Sequence, residues 1–297
     1  MALQQVQATV NGQVYILTLN EETGRYEAQI TAPSLSSFNQ NGQYYDVSIT
    51  ATDDAGNVTT VSSSDETLGD NLKLIVKETV APVIAITSHS ADQILTNNKP
   101  TITFTVTDND SGVNTDTITV LIDGIEYKEN ITKVEINDGY NCEFTVPEEL
   151  ADGSHTIQVQ ASDNDGNEGI SETINITIDT VPPELAVTTP INGYVTNVQT
   201  LTVVGTTNDS TTIPVSVTIN GEAVNVSSDG SFSHTIELAV GTNKITVIAT
   251  DSAGHTSEIV RTVTYDISVP VFKSIEITPN PVTTGSVFTI SVSVDDL

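Results

Sequence analysis

An alternating apolar stretch that runs into Asp-x-x-Gly occurs three times in the chain and limits what it can fold into. The copies are Tyr45-Asp46-Val47-Ser48-Ile49-Thr50-Ala51-Thr52-Asp53-Asp54-Ala55-Gly56-Asn57, then Thr156-Ile157-Gln158-Val159-Gln160-Ala161-Ser162-Asp163-Asn164-Asp165-Gly166-Asn167, then Lys244-Ile245-Thr246-Val247-Ile248-Ala249-Thr250-Asp251-Ser252-Ala253-Gly254-His255. Val, Ile and Ala at every second position put one apolar face on a strand. The glycine supplies a positive φ for the turn, and the aspartate can accept from backbone N–H groups. A chain built on such units folds as sheets.

Two further elements repeat in step. Asn11-Gly12, Asp123-Gly124 and Asn220-Gly221 sit between alternating stretches and predict tight hairpins. Thr79-Val80-Ala81-Pro82, Thr180-Val181-Pro182-Pro183 and Ser268-Val269-Pro270 predict junctions, because proline stiffens a short linker and opens an edge strand. Strands of this length between turns at this spacing predict β-sandwiches of about 100 residues each. The 297 residues divide on this reading into 1–78, 79–179, 180–266 and 267–297. Strands are expected at Ile84–Ser88, Thr101–Thr107, Thr117–Asp123, Ile125–Lys128, Tyr140–Val146, Thr156–Asp163 and Glu172–Asp179. The next repeat has Leu185–Thr189 and Thr200–Thr206.

These motifs resemble bacterial immunoglobulin-like repeats of the Big type. The resemblance implies an all-β chain of tandem immunoglobulin-like β-sandwich domains in an extended array. Composition agrees with a core closed by packing alone: there is one cysteine, Cys142, and no tryptophan, so the antibody-type disulfide pattern is missing. Phe104, Phe144, Phe232, Phe288 and Cys142 read as core, and Tyr45, near the start of a strand F, reads as a corner tyrosine.

Within this frame residues 1–78 begin at strand C and lack A and B. Residues 267–297 supply only A and B, at Ser274–Thr278 and Val287–Val294. The two pieces are complementary, which points to head-to-tail strand completion between copies. Residues 61–78 completing the first domain locally, or a longer parent chain, are the alternatives. The N-terminus shows neither the basic nor the apolar segment of a secretory signal.

Lys plus Arg total 9 against 39 Asp plus Glu, a net charge of −30. That surface repels phosphate, so neither nucleic acid nor an anionic membrane is an expected partner. Carboxylates gather at turns. Asp108 and Asp110 lie in a B–C loop, Asp163 and Asp165 in an F–G turn, and the sandwich frame brings Glu78 beside them. Oxygen-rich flexible sites of this kind suit calcium; turn formation alone is the alternative use of the same residues. Asp179, Asn208, Asp209 and Asp251 form a weaker set. The four histidines, His89, His155, His234 and His255, are scattered and show no metal centre. No Gly-x-Ser-x-Gly elbow and no phosphate-binding Gly-Lys-Ser/Thr occurs, so no enzyme and no cofactor beyond calcium is expected.

The opening stretch, Gln5 to Tyr15 and Tyr26 to Pro33, also resembles tail-associated immunoglobulin-like proteins of phages of Gram-positive bacteria. That resemblance implies a structural or attachment protein of a virion tail, baseplate or fibre. Its partners would be other tail proteins, a second copy, or host-surface polysaccharide or protein. The alternative is a stalk or adhesin fragment at a bacterial cell surface.

Overall fold

A computed structural model describes residues 3–296. Strands dominate, joined by turns and one short 3₁₀ helix, Gly69–Leu72. No helix among the described residues is long and apolar enough to cross a membrane. The chain separates into two compact units, Met1–Ile178 and Asp179–Leu297.

The first unit opens with β1 (Leu3–Val10), β2 (Gln13–Asn20), β3 (Arg25–Glu27), β4 (Tyr45–Asp53), β5 (Val58–Val61) and β6 (Lys73–Leu74). They form one sheet in the order β3-β2-β1-β4-β5, with β6 also paired to β4. The β1–β2 turn is Asn11-Gly12, with φ of 47° and 74°, the left-handed pair that two-residue hairpins need. Tyr45 is buried and its hydroxyl donates to the Leu35 carbonyl at 3.2 Å, the expected corner bond. Residues 28–44 hold no strand, so the E strand expected within this piece does not form. Residues 61–78 add β6 to the same sheet and supply no second one.

A complete sandwich follows in this unit. Its strands are β7 (Val83–Ile86), β8 (Gln93–Leu95), β9 (Thr101–Thr107), β10 (Val113–Ile122), β11 (Ile125–Tyr127), β12 (Thr132–Ile136), β13 (Gly139–Thr145), β14 (Gly153–Asp163), β15 (Glu168–Ile170) and β16 (Ile174–Ile178). One sheet runs β11-β10-β14-β16-β8 with β15 on β14, and the other runs β12-β13-β9-β7. Their inner faces close a core around Phe104, Val120, Phe144, Ile157 and Val159, with Cys142 inside it. Burial pushes the Cys142 thiol up to about 11, so it stays protonated and inert.

The second unit repeats the sandwich with β17 (Glu184–Thr189), β18 (Tyr194–Thr196), β19 (Thr200–Asn208), β20 (Ser216–Ile219), β21 (Glu222–Val224), β22 (Ser231–Glu237), β23 (Gly241–Thr250) and β24 (Thr256–Tyr265). Sheets β17-β19-β22 and β18-β24-β23-β20-β21 enclose Val203, Val217, Phe232, Ile245 and Val247. A hairpin, β25 (Val271–Thr278) and β26 (Thr289–Asp295), completes the unit.

Equivalent residues of the repeated strand measure how complete each domain is. Ile157, Val159 and Ala161 of β14 are 0%, 0% and 1% exposed, and Ile245, Val247 and Ala249 of β23 are 1%, 0% and 0%. Val47, Ile49 and Ala51 of β4 are only half-buried although their cross-strand neighbours Val10, Ala8 and Val6 on β1 are buried, so without a second sheet that face is covered only in part. The hairpin is barer still. Both of its strands are exposed throughout, and cross-strand pairing aligns Phe272 with Val294, Ile275 with Val292 and Ile277 with Ile290. Phe288 precedes β26 and is 47% exposed, which overturns its expected place in a core: the strand pattern is present but nothing packs on it.

Two separate cores give a direct expectation. Phe104→Ala should cost about 3–5 kcal/mol in its own sandwich. Calorimetry should show that transition falling while the one belonging to the Phe232 core stays in place.

Candidate functional site

The site is built on the Asp-x-x-Gly turn. Asp163 ends β14; its Oδ1 accepts from the Asn167 backbone N–H at 2.8 Å and its Oδ2 from the Asn167 amide at 2.6 Å. Gly166 takes φ of 95°, a conformation open to glycine. The first copy does the same: Asp53 accepts from Ala55 N and Asn57 N, both at 2.9 Å, and from Asn57 Nδ2 at 2.8 Å.

Three of the five carboxylates singled out in the sequence come together around Asp163. One carboxylate oxygen each of Glu78, Asp108 and Asp163 lies within 4.8 Å of the others. Asp108, in the loop after β9, is held by Gly112 N at 2.7 Å and Asp110 N at 3.1 Å. Glu78 Oε1 accepts from Ser111 N at 2.6 Å, and its backbone carbonyl accepts from the Asn167 amide at 3.2 Å. Asp108 and Asp163 are buried, and Glu78 is half-buried. Burial raises the Glu78 carboxyl above its ordinary 4.5; hydrogen bonds from Ser111 oppose this, and the Asp108 and Asp110 charges reinforce it. An all-oxygen trio of this kind could hold a divalent cation such as calcium.

Asp110 and Asp165 serve a different end. Asp110 accepts from Ser36 N at 2.8 and 3.1 Å, while its carbonyl takes the Asn39 amide. Asp165 Oδ2 accepts from Glu78 N at 3.0 Å, and its carbonyl from Lys77 Nζ at 3.0 Å. Both therefore fasten the N-terminal piece, through its loop 28–44 and its connection, to the following sandwich.

The second sandwich holds a related group with different chemistry. Of Asp179, Asn208, Asp209 and Asp251, the structure gathers only Asp179 and Asp251, and adds His255. Asp209 instead accepts from Thr211 N and Thr212 N, both at 2.7 Å, and Asn208 is exposed at the end of β19. His255 was the residue that spacing missed. Its signal lay in the repeat, where it stands in the place of Asn57 and Asn167.

Residues 83–180 match the model of a bacterial Ig-like domain, and residues 183–267 match that of glucodextranase domain B. Over 106 residues, 36% of this chain, the sequence is 41% identical to Bacillopeptidase F of Bacillus subtilis (strain 168); the match spans 7% of that protein's length. Among solved structures, the titin I-band fragment I67-I69 is similar at 12% identity, with 87% of each chain covered and a TM-score of 0.46. The fibronectin(III)-like modules of Clostridium thermocellum CbhA are similar at 17% identity, covering 61% of this chain and 93% of theirs, with a TM-score of 0.36. The two family models and the strand topology together define an array of immunoglobulin-like domains. The N-terminal sheet and the C-terminal hairpin lie outside both family matches. None of the relatives named here is a phage protein.

The raised Glu78 carboxyl has a defined sign. The folded state holds that proton more tightly than the unfolded chain, so the stabilisation is present in acid and is lost as pH rises through the folded pKa, above 4.5. Glu78→Gln keeps an acceptor for Ser111 N and removes the charge. In chelator it should raise the melting temperature at neutral pH and flatten the fall above pH 4.5. Calcium at about millimolar concentration should stabilise the unsubstituted chain and not this variant. Equal melting with and without calcium would leave the trio as turn structure alone.

Proposed function

We propose that this chain is a non-enzymatic structural protein, a stalk or spacer that carries an attachment surface in a bacterial surface or secreted protein. The observation that carries this reading is the succession along the chain of sandwiches whose polar turn residues are spent on holding turns and, before the first of them, a junction. The clamp of Asp110 on Ser36 and Asp165 on Glu78 stiffens one junction. The acidic surface keeps the array soluble and away from nucleic acid and anionic membrane. The partial match to a bacterial protein favours the surface or secreted setting. A place in a phage tail, baseplate or fibre, with other tail proteins and host-surface polysaccharide or protein as partners, rests on the resemblance of residues 5–33.

Assembly follows from one partly covered face and one bare one. The N-terminal sheet offers a half-buried apolar face, and the hairpin β25–β26 offers Phe272, Ile275, Ile277, Ile290, Val292 and Val294. The hairpin pairs as β7 pairs with β9 and β17 with β19, the edge of the sheet that the N-terminal piece lacks. In our reading, the hairpin of one copy covers the open sheet of the next, a head-to-tail contact. Polypeptide 1–297 should then show concentration-dependent association by light scattering, lost on removal of residues 267–297 or in Ile275→Asp. A monomer at every concentration would remove this mode of assembly.

Fractionation of the source culture after prophage induction separates the two settings. Recovery with cell wall or supernatant supports the stalk. Cosedimentation with tail-like particles at stoichiometric copy number would overturn it in favour of the virion.

A further inference from the structure

In the first two copies of the Asp-x-x-Gly turn, the residue after glycine is asparagine. Its amide donates to the second oxygen of the aspartate, at 2.8 Å from Asn57 to Asp53 and 2.6 Å from Asn167 to Asp163. The third copy has His255 there. The backbone of the turn is unchanged, with His255 N donating to Asp251 Oδ1 at 2.9 Å. Asp251 Oδ2, however, loses its donor.

What faces that oxygen is the His255 Nδ1, at 3.6 Å, which is too far for a hydrogen bond. Both atoms are buried and neither has a hydrogen-bond partner. The Asp251 side chain is 0% exposed. Asp179 stands beside them, itself 0% exposed, with one oxygen taking the Thr212 hydroxyl and the other the Val181 N–H at 3.3 Å. One ligand atom from each of the three residues lies within 4.8 Å of the others. Among the described residues no lysine or arginine pairs with either carboxylate. Two buried carboxylates and an unsatisfied imidazole nitrogen thus converge on one small volume.

We propose that Asp179, Asp251 and His255 bind a divalent transition-metal ion of the zinc class. The donor set selects the ion: an imidazole nitrogen with two carboxylates suits zinc, nickel or copper, whereas calcium and magnesium take oxygen. Ligands about 2.0–2.1 Å from a tetrahedral ion lie about 3.3 Å apart, close to the observed 3.6 Å between Asp251 Oδ2 and His255 Nδ1. Water completes the coordination. Asp179 is the first residue of this unit, and residues 251–255 form the turn between β23 and β24. The ion therefore ties the start of the unit to that turn. The three turns share one backbone design, and exchange of one side chain in the third converts a hydrogen-bond donor into a ligand.

The test uses polypeptide 1–297, stripped with chelator and titrated with Co²⁺, whose visible ligand-field absorption reports nitrogen and oxygen ligation. The decisive variant is His255→Asn, which places at 255 the same side chain as Asn167 and so preserves folding; circular dichroism checks this. One equivalent of Co²⁺ is expected in the unsubstituted chain, displaced by Zn²⁺ and not by equal Ca²⁺. Affinity should fall at least about tenfold in the variant. In chelator the variant should melt no lower than the parent, since the amide returns a donor to Asp251 Oδ2. Identical Co²⁺ binding in both proteins, or none in the parent, would overturn the proposal and leave His255 and Asp251 as neighbours without a ligand.

Discussion

A carboxylate accepting the backbone N–H four residues further on closes the turn after β4, after β14 and after β23, and much of the local structure hangs on it. Chain reversal at Asp163 needs Gly166 in a left-handed conformation and leaves inward-facing N–H groups, which the carboxylate satisfies. Once fixed, the turn presents Asn167 to the Glu78 carbonyl, Glu78 to Ser111, and the neighbouring loop's Asp110 to Ser36. One buried aspartate thereby organises a hydrogen-bond path from the sandwich into the loop of the preceding piece. Its cost is electrostatic, since it gathers carboxylates in a chain that already carries a net charge of −30.

The two sandwiches and the two partial pieces differ in whether a second sheet is present. Identical alternation along β4, β14 and β23 leads to full burial where an opposing sheet exists and to half-burial where it does not. The hairpin β25–β26 shows the limit: two paired strands with one apolar face and no layer to bury it. Isolated two-stranded ribbons are marginal in water, so these faces have a strong physical reason to be covered.

Much of the fold was legible because its determinants are local. Strand β9 falls at the expected Thr101–Thr107, and Asn11-Gly12 and Asp123-Gly124 take the left-handed turn that their composition demands. Strands β8 and β12 were not legible. Gln93–Leu95 is three residues long and is defined by parallel pairing with β16, a non-local event that leaves no periodic trace. Phe288 shows the complementary limit, because alternation reveals which face wants burial without revealing whether a partner is there. In the candidate site, the turn motif marked Asp163, and the sandwich frame brought in Glu78 and Asp108. Asp110 and Asp165 went elsewhere because their partners, Ser36 and Glu78 N, come from the preceding piece, which spacing within the repeat does not encode. His255 was visible as a letter in the repeat, but its meaning needed the orphaned oxygen beside it.

The sandwiches contain no disulfide; the lone thiol, Cys142, is sealed inside one of them. A domain closed by packing alone has no residual tether once its layers part. Under a pulling force each one would pay out its whole length, on the order of 300 Å for about 90 residues of extended chain, before load reached the backbone. The same opening would bring a hidden sulfhydryl into solvent. Under load such sandwiches would act as extensible fuses, and the opening of one of them would be readable by its thiol.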